Sequence, residues 1–144
     1  MKRVGLSIIS NDNFKKSKIT TFFNQLDLKK VKNYHQSIGI KETPLLSLKN
    51  LAQKYNVGNI YIKDESKRHN MNAFKILGSS YAMHREIKKH TKIKEFCTAT
   101  DGNHGKSVAR MAREMGKKST IFVPKDTVEG RIKMIKSEGA KVIK

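Results

Sequence analysis

The chain has 144 residues, 37% of them hydrophobic, and its 31 basic and 12 acidic residues give a formal net charge of +19. This length allows one ordinary domain with a hydrophobic core, and no apolar stretch is long enough for a membrane span or the core of a signal peptide. The basic residues form short pairs such as Lys29-Lys30 and Lys117-Lys118. Because long basic runs are absent, the charge pattern predicts no specific nucleic-acid partner. The lack of a spanning apolar stretch predicts no membrane partner.

The single cysteine, Cys97, lies within the apolar run Phe96-Cys97-Thr98-Ala99. One cysteine cannot form an internal disulfide, so the sequence favours a reducing compartment, the cytoplasm. Cys97 itself is open to two interpretations, a reactive thiol or a packed strand residue. Its apolar neighbours favour a buried strand residue.

The polar N-terminal part, residues 1–40, predicts an arm that packs on a larger body. Its apolar residues Ile19, Phe22, Phe23 and Leu26 have the spacing of one face of an amphipathic helix. The arm is followed by a change in pattern near residue 41.

The next part, residues 41–90, opens with the extended segment Thr43-Pro44-Leu45-Leu46, since the residue before a proline avoids the helical conformation. The alternation in Ile60-Tyr61-Ile62-Lys63 predicts a short strand. Apolar residues at helical spacing predict helices over 48–55 and 73–90.

From residue 95 the pattern alternates between strands and helices. Strands are predicted at 95–100, 118–124 and 140–144, and helices over 105–115 and 128–139. Such alternation with short connections predicts an α/β fold, in which parallel strands are flanked by helices. Because a parallel sheet needs helices on both faces, we expect this chain to be an incomplete part of a larger α/β fold.

Lys75 is the sharpest candidate for chemistry. It lies at the predicted start of a helix in the run Met71-Asn72-Ala73-Phe74-Lys75-Ile76-Leu77-Gly78. Apolar neighbours at that place predict a desolvated lysine, which favours the neutral, nucleophilic amine that forms Schiff bases. The alternative is a surface lysine whose stem lies along an amphipathic helix.

The second candidate segment is the loop Thr100-Asp101-Gly102-Asn103-His104-Gly105, between a predicted strand and helix. Its glycines allow the backbone to approach a ligand, and Asn103 offers hydrogen-bond donors and an acceptor. Asp101 is either a charge at a helix N-terminus or a general acid or base, and His104 is either structural or a proton carrier. No metal-ligand spacing and no nucleotide-binding glycine pattern occurs.

Together these segments resemble the fold-type II pyridoxal-phosphate (PLP) enzymes, and among them the diaminopropionate ammonia-lyases. The resemblance covers residues 40–144 and includes Ile60 to Ser66, Asn72 to Lys75 and Thr98 to Gly105. Asp101 points to the ammonia-lyases, since dehydratases usually carry a small residue at this place. The resemblance therefore implies an incomplete fold-type II PLP-enzyme fold.

By this resemblance, Lys75 bonds covalently to PLP and acts as the base for the α-proton of an L-amino acid. Asn103 contacts the ring oxygen of the cofactor beside Gly102 and His104, and Asp101 moves the proton on the opposite face. The implied reaction is α,β-elimination of 2,3-diaminopropionate to pyruvate and ammonia. The glycine-rich phosphate loop of the family is implied to lie beyond residue 144.

The resemblance also implies a domain division and partners. Residues 1–40 form an arm, 41–90 begin the large PLP-binding domain, and 91–144 form a βαβαβ part of the small domain. The full-length enzyme is implied to be a cytoplasmic homodimer of amino-acid catabolism. Two alternatives stay open: a serine/threonine dehydratase-like PLP enzyme, and a non-catalytic basic fragment that binds anionic partners.

Overall fold

The computed structural model of the protein describes residues 25–144. The helices are α1 (Gln25–Ser37), α2 (Lys49–Lys54), α3 (Lys75–Lys89), α4 (Asn103–Glu114) and α5 (Glu129–Lys136), with a 3-10 turn at Glu65–Lys67. The strands are β1 (Leu45–Ser47), β2 (Tyr61–Lys63), β3 (Glu95–Ala99), β4 (Lys118–Phe122) and β5 (Lys141–Ile143). In this part of the chain, no helix is long and apolar enough to cross a membrane.

The second half of the chain forms the parallel sheet that its strand–helix alternation predicts. The strand order is β3-β4-β5, and Thr98 pairs with Ile121, which in turn pairs with Val142. Because the strands are parallel, the carboxyl ends of β3 and β4 lie at the same edge of the sheet, and each connection to the next strand passes through a helix. The loops that enter α4 and α5 therefore lie near each other.

The extended segment at Thr43 to Leu46 and the predicted strand near Ile62 form a separate small sheet. Strands β1 and β2 pair antiparallel, with Leu46 opposite Ile62, and the short helix α2 connects them. The side chains of both strands are exposed.

One hydrophobic core joins α3, α4 and the parallel sheet. Helix α4 packs between α3 on one side and β3 and β4 on the other. The largest fully buried apolar side chains come from the segment before α3 and from these elements and α5: Met71, Ile76, Met111, Ile121 and Ile135. Residues on both sides of position 90 thus share one core.

The structure corrects the expectation for Cys97, and it describes one residue of the predicted arm helix face, Leu26. Cys97 is exposed, so the expectation of a buried strand cysteine is wrong. It lies on the face of the sheet opposite α4 and α5, where its register partner Thr120 also lies. Of the predicted arm helix face, Leu26 is in α1 and 68% exposed, whereas Ile19, Phe22 and Phe23 lie outside the described residues.

Helix α4 begins at Asn103 rather than at 105, and Gly105 lies in its first turn against the sheet. A Cβ atom at Gly105 would lie 2.9 Å from methyl carbons of both Thr100 and Ile121. These contacts are shorter than van der Waals distance, so only glycine allows helix and sheet to approach this closely.

Replacing Gly105 with alanine is expected to destabilise the chain by about 1–3 kcal/mol, because the added methyl overpacks this contact. Gly78→Ala in α3 is the matched control, since a Cβ there meets nothing within 4 Å; it should stabilise the chain by roughly 0.5–1 kcal/mol. Urea unfolding of both variants measures the difference. Equal stabilities would contradict the close packing of α4 on the sheet.

Candidate functional site

Lys75 is the first residue of α3, and its side chain is exposed. Its Nζ lies 5.1 Å from the centre of the Phe74 ring, a cation–π distance. The next residue, Ile76, is fully buried in the core. The expectation of a desolvated lysine is therefore not met: Phe74 is itself 55% exposed, and the amine is accessible. Within residues 25–144, no carboxylate forms an ion pair with Lys75.

The segment that leads into Lys75 has an unusual backbone. His69, Asn70 and Asn72 all have positive φ angles, of 44°, 54° and 57°. Asparagine tolerates this left-handed region better than most residues, which explains the two asparagines here. Met71, between them, is only 1% exposed and anchors the segment in the core. The start of α3 is thereby held by packing rather than by a side-chain cap.

A polar network joins residues before β1 and after β2 to Arg68, which directly precedes this segment. The guanidinium of Arg68 donates hydrogen bonds to both oxygens of the Glu65 carboxylate, at 2.8 and 2.9 Å, and to the Lys41 carbonyl at 2.6 Å. The hydroxyl of Thr43 donates to Glu65 Oε1 at 2.7 Å. Chiefly because of the hydrogen bonds from Arg68, the pKa of Glu65 is lowered to about 2. The carboxylate therefore stays charged at neutral pH, and the network stays intact.

The loop after β3 supplies the second part of the candidate site. Gly102 precedes α4 with an extended backbone, and a Cβ atom at this residue would meet nothing within 4 Å. Asn103 and His104 are exposed. As at any helix N-terminus, the first N–H groups of α4 have no partner within the helix, so they can donate hydrogen bonds to a bound group. The Gly102 backbone, the side-chain amide of Asn103 and the N–H donors of the first turn of α4 therefore border open space.

Asp101, in the same loop, is held by a residue from another element. Its Oδ2 accepts a hydrogen bond from Nη1 of Arg131, in α5, and the two side chains form an ion pair. Both side chains are about half exposed, Arg131 at 54% and Asp101 at 47%. The pair joins the loop that follows β3 to the first turn of α5.

The structure thus places Asp101 and Gly102 in the loop before α4, and Asn103 and His104 in the first turn of that helix. Lys75 lies at the start of α3, which packs against α4. No hydrogen bond or ion pair joins Lys75 to that loop among the described residues. Sequence reasoning missed Arg131. A usable signal was its place at the start of the helix that follows β4, since the carboxyl ends of neighbouring parallel strands meet at one edge.

The chain is similar in sequence and in structure to known enzymes. The chain is 37% identical to diaminopropionate ammonia-lyase of Escherichia coli K12, over 94% of this chain and 38% of that protein. A structure of the E. coli enzyme in complex with an aminoacrylate-PLP azomethine reaction intermediate has a TM-score of 0.76 and 39% identity, over 84% of this chain and 34% of that one. A complex with D-serine has a TM-score of 0.79 and 35% identity, over 84% and 36%.

The matches cover 84% to 94% of this chain, but the chain spans less than two fifths of the length of these relatives. The family model described as pyridoxal-phosphate dependent enzyme matches residues 36–144, which include Lys75 and the Asp101 to Gly105 loop. The expected α/β fold of the fold-type II enzymes is confirmed by the same structural matches. The chain belongs to the family of pyridoxal-phosphate-dependent enzymes.

Proposed function

We propose that this chain carries the amine and the ring-contact loop of an ammonia-lyase that eliminates ammonia from 2,3-diaminopropionate. The observation that supports this most is Asp101, a paired carboxylate at the head of the Gly-Asn-His-Gly loop. The similarity to diaminopropionate ammonia-lyase across 94% of the chain supports the same substrate.

The donor set fits the ring part of PLP. An accessible primary amine at Lys75 suits covalent attachment to an aldehyde. Gly102 leaves open space beside the loop, and the Asn103 amide and the first N–H groups of α4 suit a ring oxygen. His104 is a further contact in our proposal. PLP, when bound, supplies an electron sink for negative charge at the substrate α-carbon.

The residues of this chain would then hold and move protons. Lys75 Nζ accepts the α-proton of the L-enantiomer, and a carboxylate oxygen of Asp101 accepts it from the opposite face, as required for the D-enantiomer. Departure of the β-amino group and addition of one water yield pyruvate and two molecules of ammonia. Lys75 and Asp101 are the catalytic residues of this proposal.

The setting of the enzyme is part of the proposal. We place it in the cytoplasm, in amino-acid catabolism, as a homodimer that takes a small amino acid. The single cysteine supports a reducing compartment. The arm over 1–40 and the division near residue 90 remain our domain proposal.

A chimera tests the proposed reaction. In it, this chain replaces the segment that it matches in the E. coli relative, and pyruvate or 2-oxobutyrate formation is measured with 2,3-diaminopropionate, serine and threonine. We expect kcat/KM for diaminopropionate to exceed that for serine by about tenfold or more, a difference in transition-state stabilisation of about 1.4 kcal/mol. Faster elimination of serine or threonine would instead identify a dehydratase.

A further inference from the structure

We propose that Arg131 is a positioning residue that orients the Asp101 carboxylate for proton transfer on one face of the substrate. This inference rests on the proposed function of Asp101. Arg131 lies in the first turn of α5, thirty positions from Asp101 along the chain, and meets it only because β3 and β4 end at the same edge of the sheet.

The contact leaves one carboxylate oxygen available. Arg131 Nη1 binds Oδ2, whereas Oδ1 accepts no hydrogen bond from the described residues. An exposed aspartate in a loop otherwise samples several side-chain rotamers. A charge-assisted hydrogen bond from a planar guanidinium restricts this freedom, so the free oxygen is held in one direction.

The other ion pairs of α4 and α5 support a role of Arg131 at Asp101 rather than in helix packing. Arg110 and Arg113 of α4 bind Glu138, just after α5, and therefore tie the two helices together at a different place. Among the described residues, Arg131 makes no hydrogen bond or ion pair with that cluster. Its guanidinium is committed to Asp101, as expected for a side chain that serves the loop rather than the packing of the helices.

The first test uses the 144-residue chain without cofactor. At one fixed neutral pH, the side-chain carboxyl ¹³C resonance of Asp101 should move in Arg131→Gln and stay in place in Arg113→Gln. Arg113 is a matched control because it is also an ion-paired arginine, 46% exposed. An unmoved Asp101 resonance in Arg131→Gln would overturn the proposal.

The second test reads the role in the chimera. Arg131→Gln should lower kcat for D-diaminopropionate about tenfold and leave kcat for the L-enantiomer within about twofold, with partial recovery in Arg131→Lys. Added to Asp101→Asn, it should cause no further loss, because Arg131 acts through Asp101. Equal losses for both enantiomers, or additive losses in the double variant, would overturn the proposal.

The two proposals fail in distinguishable ways. If the unsubstituted chimera eliminates serine but not diaminopropionate, the proposed substrate is wrong. The Arg131 variants are then measured with D- and L-serine, and the same selective loss for the D-enantiomer supports the positioning role.

Discussion

Replacing Lys75 with alanine is expected to abolish elimination of both enantiomers in the chimera, with kcat lowered by on the order of a thousandfold or more. The variant loses the nucleophile that attaches the cofactor and the amine that accepts the α-proton of the L-enantiomer. Pyruvate formation measures the loss of elimination. The visible absorbance of protein-bound PLP measures the loss of cofactor attachment, and this absorbance should disappear after gel filtration.

Lys88→Ala is the matched control for this experiment, because Lys88 is an exposed lysine in the last turn of the same helix. Its kcat and absorbance should equal those of the unsubstituted chimera. Neither substitution is expected to lower the stability of the fold, since Lys75 makes no ion pair among residues 25–144 and both lysine side chains are exposed. Retained absorbance in Lys75→Ala would contradict the assignment of Lys75.

Replacing Asp101 with asparagine is expected to lower kcat for D-diaminopropionate about a hundredfold, the usual loss when a positioned acid or base is removed. Asparagine keeps the size of the side chain and a hydrogen-bond acceptor for Arg131, so the loop should keep its shape. The L-enantiomer, whose proton goes to Lys75, should be eliminated at nearly the original rate.

Asp126→Asn provides the comparison, because Asp126 is an exposed aspartate in the loop that follows β4. This substitution should leave kcat for both enantiomers unchanged. If Asp101→Asn lowered kcat for both enantiomers equally, Asp101 would act on cofactor binding rather than on one face of the substrate.

Much of the fold was predictable because the strand and helix patterns of residues 95–144 are local. Strands β3, β4 and β5 coincide with short apolar runs of the sequence. Gly139, with a φ of 91°, ends the segment after α5. The start of α4 was less predictable. The sequence predicted a helix start at Gly105, at the end of the glycine-containing turn, whereas the structure begins α4 at Asn103 and packs Gly105 against Ile121.

The environment of side chains was predicted less well than their place in the chain. Apolar neighbours in sequence suggested that Lys75 and Cys97 are buried, yet both are exposed. Alternate residues of a strand face opposite sides, and one side of the β3–β5 sheet is not covered within the described residues. The Asp101–Arg131 pair joins residues far apart in sequence, so only the sheet topology reveals it.

The most direct test of the central claim is to find which of the 25 lysines bonds to the cofactor. The chimera is loaded with an equimolar amount of PLP, reduced with borohydride and digested, and the labelled peptides are identified by mass spectrometry. Our account predicts that the label of this chain lies on Lys75, in the peptide that contains Asn72, Ala73 and Phe74. Label spread over the exposed lysines, with no preference for Lys75, would contradict it.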